Sequence, residues 1–144
     1  EEIIKIAEYE VDHYAQYFFA DNLTFFRRSG RISNFSSIMG NLIGVKPIIY
    51  MDKNGMMTNI GKEIGRTKAI DRLVQYVLEL GEDVEKHRVI IGHSDALELA
   101  KKLESKLQEK FDNKLNIEIA VVNPTAGSHC GPNAVGVSFH AKCR

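Results

Sequence analysis

The sequence has no net charge, no long apolar run and too few cysteines for a disulfide framework. Its 19 basic and 19 acidic residues cancel, whereas proteins that bind nucleic acid or anionic membranes usually show a basic excess. There is no uninterrupted run of about 18 apolar residues, so no transmembrane helix is predicted. The two cysteines, Cys130 and Cys143, favour reduced thiols in a cytoplasmic protein.

Two common catalytic motifs are also missing. The segment Gly61-Lys-Glu-Ile-Gly65 is too short for a phosphate-binding P-loop and lacks the serine or threonine that follows the lysine. No Gly-x-Ser-x-Gly elbow occurs, which removes the usual signature of a serine hydrolase. The sequence therefore gives no support to a nucleotide-hydrolysing or serine-hydrolase activity.

A metal site near the C-terminus is considered and not predicted. His129, Cys130, His140 and Cys143 lie within 15 residues of one another. Zinc motifs usually separate the members of a ligand pair by two to four residues, whereas His129 and Cys130 are adjacent. Adjacent strand residues point to opposite faces. For a similar reason, Cys130 and His129 are not predicted to form a nucleophile–base pair.

The pattern of apolar residues predicts an α+β domain. Helical spacing predicts an N-terminal helix, a helix ending at Gly81 and a helix opened by an Asp95-x-x-Glu98 capping box. Asn54-Gly55 predicts a β-hairpin between two apolar segments. A short apolar helix is predicted after Ser33. Together the segments predict a largely antiparallel or mixed sheet of about six strands covered by helices; strands are predicted at 17–20, 46–51, 56–61, 88–92, 115–122 and 135–140.

The run His129-Cys-Gly-Pro-Asn-Ala-Val-Gly136 is the most unusual segment of the chain. Gly131 permits close approach of a ligand to the backbone, and Pro132 fixes its own φ and restricts Gly131. Asn133 tolerates positive φ. The run predicts a rigid turn that places the His129 imidazole at the lip of a strand, where it can hold a small charged group.

Four segments together resemble the DegV family of bacterial fatty-acid-binding proteins. The first is the His-x-Gly-Pro turn at His129, in which Asn133 stands where the family usually has glycine. The second is Leu23-Thr-Phe-Phe-Arg-Arg-Ser-Gly-Arg-Ile-Ser33, followed by Val45-Lys-Pro-Ile-Ile49. The others are Gly65-Arg-Thr67 and the strand ending in Gly92-His93. Their order and spacing agree over nearly the whole chain.

The resemblance implies a domain organisation. Proteins of the family have two domains and about twice this length, and the chain resembles the C-terminal domain with the helix before it. The chain begins within a predicted helix, without an initiator methionine, so we expect a fragment that lacks the N-terminal domain. The expected division is a connecting helix over residues 1–16 and a lipid-binding domain over residues 17–144.

The resemblance also implies a carrier that is not an enzyme and needs no cofactor. Its ligand would be a long-chain fatty acid, and an ATP-dependent fatty acid kinase would convert the bound carboxylate into an acyl phosphate. His129 and the Gly131 amide would orient the carboxylate. The other half of this head-group site, hydroxyl residues in the family, would belong to the missing N-terminal domain.

Other residues have two interpretations each. Arg31 is expected to anchor the head group or to dock a phosphate-bearing partner, because arginine binds such groups in bidentate fashion; a solvated surface arginine is the alternative. Arg66 is expected to have a structural or docking role. Some apolar side chains are either core residues or the lining of an acyl tunnel. This set comprises Ile32, Ile38, Met39, Leu42 and Phe139.

Two functions of other classes remain open from the residues alone. One is a protein interaction domain without a ligand, in which the apolar helix after Arg31 packs against another chain. The other is a small hydrolase or transferase with His129 as general base. The latter needs a nucleophile or carboxylate partner, and none is convincingly spaced in the sequence.

Overall fold

A single six-stranded sheet connects most elements of the chain in the computed structural model, which describes residues 1–21, 23–31 and 44–143. The helices are α1 (Glu2–His13), α2 (Thr24–Arg28), α3 (Arg66–Leu80), α4 (Leu97–Lys110) and α5 (Pro124–Cys130), with a 3-10 turn at Val84–Lys86. The strands are β1 (Tyr14–Phe19), β2 (Val45–Met51), β3 (Met57–Ile64), β4 (Arg88–Ser94), β5 (Asn116–Val121) and β6 (Ala134–His140).

The strand order is β3-β2-β1-β6-β4-β5. Four neighbouring pairs are antiparallel. Strands β4 and β5 run parallel, and α4 connects them, because a parallel pair needs a crossover rather than a tight turn. The predicted α+β class with a mixed sheet of six strands is therefore confirmed.

One face of the sheet packs against helices α3 and α4, and a smaller buried cluster that includes Phe26 of α2 lies on the other face. Along β6 the side chains of Val135, Val137 and Phe139 are buried in the main core, whereas Gly136 and Ser138 between them are only partly buried. This alternation follows from the period of two along a strand. The core lies between the sheet and helices α3 and α4.

Both long helices carry the apolar stripes that the sequence predicts. In α3 the buried residues include Ile70, Leu73 and Val77, and in α4 they are Ala100, Leu103 and Leu107. The predicted capping box of α4 is wrong, because no side chain of the helix's own first turn caps it. Instead, the Ala96 amide donates a hydrogen bond of 3.2 Å to Nδ1 of His93.

The predicted hairpin forms between β2 and β3, which pair in antiparallel register from Val45↔Ile64 to Met51↔Met57. Its turn is closed by a hydrogen bond of 2.8 Å from the Gly55 amide to the Asp52 carbonyl. Gly55 has a φ of 73°, a conformation that costs glycine little.

The N-terminal helix is shorter than predicted and buries none of its residues. It ends at His13, and β1 begins at Tyr14, so residues 14–16 belong to the sheet rather than to a connecting helix. Several apolar side chains of α1 are exposed, among them Ile3 (81%) and Ile4 (60%). None of the helices among the described residues is long and apolar enough to cross a membrane.

Helix α5 was not predicted from the sequence, which indicated a turn in its place. Its start nevertheless carries a recognisable signal, since the Asn123 Oδ1 accepts a hydrogen bond of 2.9 Å from the Ala126 amide and Pro124 occupies the first turn. Asparagine at the N-cap followed by proline is typical of a helix start. The helix predicted between Ser33 and Ile43 lies outside the described residues.

Asp21 links the end of β1 to two other elements. Its carboxylate accepts two hydrogen bonds of 2.9 Å from the Arg66 guanidinium at the start of α3. Lys46 of β2 lies 2.7 Å from Oδ1. The hydrogen bonds from Arg66 are the main cause of a lowered pKa of Asp21; burial opposes them and Lys46 adds to them.

Replacing Asp21 with asparagine is expected to lower the free energy of unfolding by about 1–2 kcal/mol at neutral pH, because Lys46 and Arg66 lose a shared counter-ion. Since the pKa of Asp21 is lowered in the folded chain, its stabilising contribution is present above the unfolded pKa of about 3.9. It is lost as the pH falls through the folded pKa. Urea unfolding at several pH values measures this.

Asp71→Asn is the matched control for this substitution, because Asp71 forms a more exposed ion pair with Lys106. Exposed pairs contribute little to stability, about 0–1 kcal/mol. A stability difference between wild type and Asp21→Asn that stays the same from pH 7 to pH 3 would contradict the assignment.

Candidate functional site

A cavity of about 1130 Å³ lies on the face of the sheet opposite α3 and α4. Its floor is formed by alternate residues of β1, β4 and β6, and α5 and the tip of the β2–β3 hairpin form its sides. The floor residues are Gln16, Phe18, Ile90, Gly92, Ser94, Gly136 and Ser138, and the side residues include Met51, Met56, Met57, Thr125, Ala126, His129 and Cys130.

Most of the lining is apolar and adaptable. Phe18, Ile90 and Val122 provide rigid apolar surface, and three methionines line the hairpin side. Methionine side chains are flexible and polarisable, so they adapt to ligands of variable shape. Small-molecule sites typically have volumes of about 300–1000 Å³ and a few polar groups on an apolar lining. The cavity, at about 1130 Å³, is slightly larger than that range.

Two residues of the cavity floor, Gly92 and Gly136, are glycines and have no side chain to fill the cavity. Phe18, Gly136 and Gly92 lie side by side in the register of β1, β6 and β4. A Cβ on Gly136 would lie 2.6 Å from the Cβ of Phe18 and 3.0 Å from the carbonyl oxygen of Tyr17. A side chain at position 136 would therefore collide with Phe18 and the β1 backbone.

His129 lines the cavity from α5, near the C-terminal end of that helix. The prediction of a histidine on a turn at the lip of a strand is thus corrected, because residues 124–130 are helical. Its Nδ1 is buried and has no hydrogen-bond partner among the described residues. An imidazole nitrogen without a partner can donate to a carboxylate when it carries a proton, and leaving it unsatisfied is costly.

Gly131 does not have the role in ligand binding that the sequence suggested. Its amide donates a hydrogen bond of 2.8 Å to the Gly127 carbonyl, so the last turn of α5 already uses the predicted carboxylate donor. Its backbone has a φ of 72° and a ψ of −179°, a region accessible almost only to glycine. Gly131 therefore ends α5, and its α-carbon faces the ring of Phe25 in α2.

Gly131→Ala is expected to lower the free energy of unfolding by about 2–4 kcal/mol through backbone strain and overpacking. The added Cβ would lie within 2.3–2.7 Å of atoms of the Phe25 ring. Gly127→Ala is the matched control, since its Cβ would meet nothing closer than 3.5 Å and alanine favours helix. Thermal unfolding of both variants checks this, and equal melting temperatures would contradict it.

The structure separates the two predicted arginines. Arg31 lines one end of the cavity, is exposed, and donates a hydrogen bond of 2.9 Å from Nη1 to the Ser29 carbonyl. The preceding Gly30 has a φ of 73°, which supports the predicted tight turn. Arg66 does not line this cavity and is bound to Asp21 through two hydrogen bonds, a structural contact.

Of the five predicted tunnel residues, only Phe139 lies within the described residues. Phe139 is fully buried in the core between the sheet and the helices, on the face opposite the cavity. The cause is the strand period of two, which gives the cavity face to its neighbour Ser138 instead. Ile32, Ile38, Met39 and Leu42 lie outside the described residues.

Cys130 lines the cavity beside His129 but is not set up as a nucleophile. Burial raises the pKa of its thiol to about 11, so it stays protonated at neutral pH. The thiolate is the reactive form of cysteine. This argues against the thiol chemistry that the adjacent histidine and cysteine could suggest.

Several lining residues were absent from the sequence-based site. Gln16, Ser94 and Ser138 form the polar part of the floor, and Thr125 lies on α5. Gln16 and Ser138 are register partners across β1 and β6. The alternation of large and small residues in Val135-Gly-Val-Ser-Phe139 could have shown that Gly136 and Ser138 lie on the sheet face opposite the main core.

Fold and site together define a class of protein, an α+β domain with a mostly apolar cavity and a histidine, His129, in its lining. Residues 1–142 match the profile of a family described as "Uncharacterised protein, DegV family". The chain belongs to the DegV family, as the sequence motifs indicated.

Individual relatives agree with this assignment. The chain is 31% identical to a DegV domain-containing protein of Clostridium perfringens, over 96% of this chain and 47% of that protein. A fatty acid binding DegV family protein of Streptococcus agalactiae superposes with a TM-score of 0.77 at 28% identity, covering 97% of this chain and 48% of that one.

A third comparison is with DegV of Bacillus subtilis, whose structure is described as that of a fatty acid binding protein. It superposes with a TM-score of 0.75 at 29% identity, over 98% of this chain and 49% of that protein. The chain thus spans about half the length of the relatives it matches.

Proposed function

We propose that this chain is a carrier domain that holds a free fatty acid in the cavity on the sheet face opposite α3 and α4. The observation that carries the proposal is the combination of a large, mostly apolar cavity with His129 at its side, whose buried Nδ1 has no hydrogen-bond partner within the part of the chain that the structure describes. The two structural relatives described as fatty acid binding support it.

The free energy gained by burying apolar surface in this cavity is large enough to hold a fatty acid. Burial of methylene groups contributes about 0.8 kcal/mol each, so about a dozen methylenes contribute roughly 10 kcal/mol before the cost of ordering the chain. The three methionines at the hairpin side can adapt to acyl chains of different shape.

In this proposal His129 contacts the carboxylate. Arg31, at one end of the same cavity, steers the carboxylate or stabilises a phosphate placed on it by a partner. That partner is an ATP-dependent fatty acid kinase, the product is an acyl phosphate, and the reaction takes place in the cytoplasm. The carrier's task is to dissolve the acyl chain and shield the mixed anhydride from water; it performs no catalysis itself.

The rest of a longer protein is proposed to complete the site. The chain covers about half of its relatives, and α1 exposes Ile3, Ile4, Ile6 and Val11. An apolar surface of this kind favours a protein contact. We therefore assign α1 to packing against the other domain, which would also contribute hydroxyl groups to the carboxylate site.

The first experiment is to extract the purified chain and its two-domain parent with organic solvent and to identify fatty acids by mass spectrometry. Near-stoichiometric fatty acid in both would place the ligand within this domain. Fatty acid in the longer protein alone would show that both halves are needed. Its absence from both would overturn the carrier proposal in favour of an interaction domain.

A second arm tests the role of His129. The delipidated protein is titrated with a fatty acid and with the fatty alcohol of the same chain length. If His129 contacts the carboxylate, wild type prefers the acid and His129→Ala loses that preference while keeping its affinity for the alcohol. Turnover of an ester or acyl phosphate that His129→Ala abolishes would instead favour the enzyme hypothesis.

A further inference from the structure

Three side chains that could hold a metal ion meet at the edge of the sheet where α1 joins β1. Glu10 projects from α1, His87 follows the 3-10 turn before β4, and His140 ends β6. One carboxylate oxygen and one nitrogen from each imidazole lie within 4.8 Å of one another. None of the three residues lines the fatty-acid cavity.

His140 is oriented like a metal ligand. Its side chain is almost fully buried, with 4% exposure, and its Nδ1 lies 2.9 Å from the Glu82 carbonyl oxygen. Because a carbonyl only accepts hydrogen bonds, Nδ1 carries a proton, and in the neutral imidazole the free lone pair is therefore on Nε2. A backbone carbonyl on the far nitrogen is the usual way in which proteins orient a ligating histidine.

Two buried acceptor atoms in this cluster lack any donor. The Nε2 of His140 and the Oε2 of Glu10 have no hydrogen-bond partner among the described residues. A buried polar atom without a partner is unfavourable, and buried polar groups are nearly always satisfied. A cation between them would satisfy both atoms and would also balance the charge of the carboxylate.

The donor set identifies the class of metal. Two imidazole nitrogens and one carboxylate oxygen suit Zn²⁺, which takes such ligands in a tetrahedral arrangement with water in the fourth position. Ca²⁺ and Mg²⁺ prefer sites made of oxygen atoms. We propose that Glu10, His87 and His140 form a Zn²⁺-binding site that fastens α1 to the edge of the sheet.

Binding requires a small rearrangement. Zinc–ligand distances of about 2.0–2.1 Å place tetrahedral ligand atoms closer together than the present limit of 4.8 Å. The His87 ring stacks on His140, with centroids 3.8 Å apart and planes 3° from parallel, so His87 must rotate to aim a nitrogen at the shared ion. His87 and Glu10 are only partly buried, whereas His140 is held by Glu82.

Metal binding would restrain the position of α1 relative to the sheet. Helix α1 buries none of its residues, and its link to the end of β6 includes the hydrogen bond of 2.7 Å from the Ala141 amide to the His13 carbonyl. A metal ion held by Glu10 and His140 would add a second link. It would fix the direction in which α1 leaves the sheet. This inference does not depend on fatty-acid binding.

The test is titration of the untagged 144-residue chain with zinc chloride by isothermal calorimetry. We expect one equivalent, a micromolar or tighter Kd, and a higher melting temperature with zinc. Glu10→Gln and His87→Gln should each weaken binding by more than about tenfold, since loss even of groups that only orient the ligands costs about that much. His140 is left intact because its removal from a buried position could unfold the chain.

The controls separate this site from adventitious binding. Asp12→Asn changes an exposed carboxylate on the same helix, and Cys143→Ser removes an exposed thiol near the C-terminus; both should keep the wild-type Kd. On zinc addition, the nitrogen NMR signals of His87 and His140 should shift. No binding, a Kd unchanged in Glu10→Gln and His87→Gln, or binding lost in Cys143→Ser would overturn the proposal.

Discussion

Phe139→Ala is expected to lower the free energy of unfolding by about 3–5 kcal/mol, the range for removing a large buried aromatic side chain. Phe139 is fully buried and lies 6.1 Å, between ring centroids, from Tyr17. Its loss would leave a cavity between the sheet and the helices. Urea unfolding followed by circular dichroism measures the change.

The same substitution should leave the fatty-acid affinity of the folded fraction unchanged, because Phe139 faces away from the cavity. Phe18→Ala is the informative comparison. Phe18 lies on the neighbouring strand but lines the cavity floor, so its removal should alter ligand affinity. If Phe139→Ala weakens binding without destabilising the fold, Phe139 belongs to the acyl site, as the sequence suggested, and its assignment to the core face of the sheet is wrong.

Ile90→Asp is expected to reduce fatty-acid affinity by more than about 100-fold. Ile90 lies on the cavity floor, in register with Ser138. An aspartate there is hydrated in the empty cavity and would be stripped of water by the acyl chain. The effective cost of burying an ion is several kcal/mol, and every 1.4 kcal/mol changes the affinity about tenfold.

Ile64→Asp is the matched control for that experiment. Ile64 is 69% exposed on β3 and does not line the cavity, so the same change in chemistry should leave the affinity near that of wild type. Displacement of a fluorescent fatty acid measures all three proteins, and circular dichroism confirms that each is folded. Equal affinities for wild type and Ile90→Asp would exclude this floor as the acyl-binding surface.

Much of the fold could be predicted because the patterns are local. The stripe at Ile70, Leu73 and Val77 and the Asn54-Gly55 turn each depend on spacing within one element, and both appear in the structure. The errors arose where a tertiary contact replaces a local one. His93, from the preceding strand, takes the hydrogen bond at the start of α4 that the sequence assigned to a capping box.

The candidate site was predicted less completely than the fold. His129 and Arg31 line one cavity, but Gly131 uses its amide within α5 and Phe139 belongs to the core. Some floor residues were missed because each is an ordinary residue on its own strand, namely Gln16, Ile90 and Ser138. They become a floor only when β1, β4 and β6 lie side by side, and that order is not encoded by any single segment.

The sequence by itself determined the family, the α+β class and the candidate histidine, because these depend on short motifs and on periodic burial. The tertiary structure decided which face of the sheet lines the cavity. It therefore also decided that Ser138, and not its neighbour Phe139, faces the cavity. It alone brought Glu10, His87 and His140 together from positions up to 130 residues apart. Such contacts depend on strand order and helix placement, which are properties of the whole packed chain.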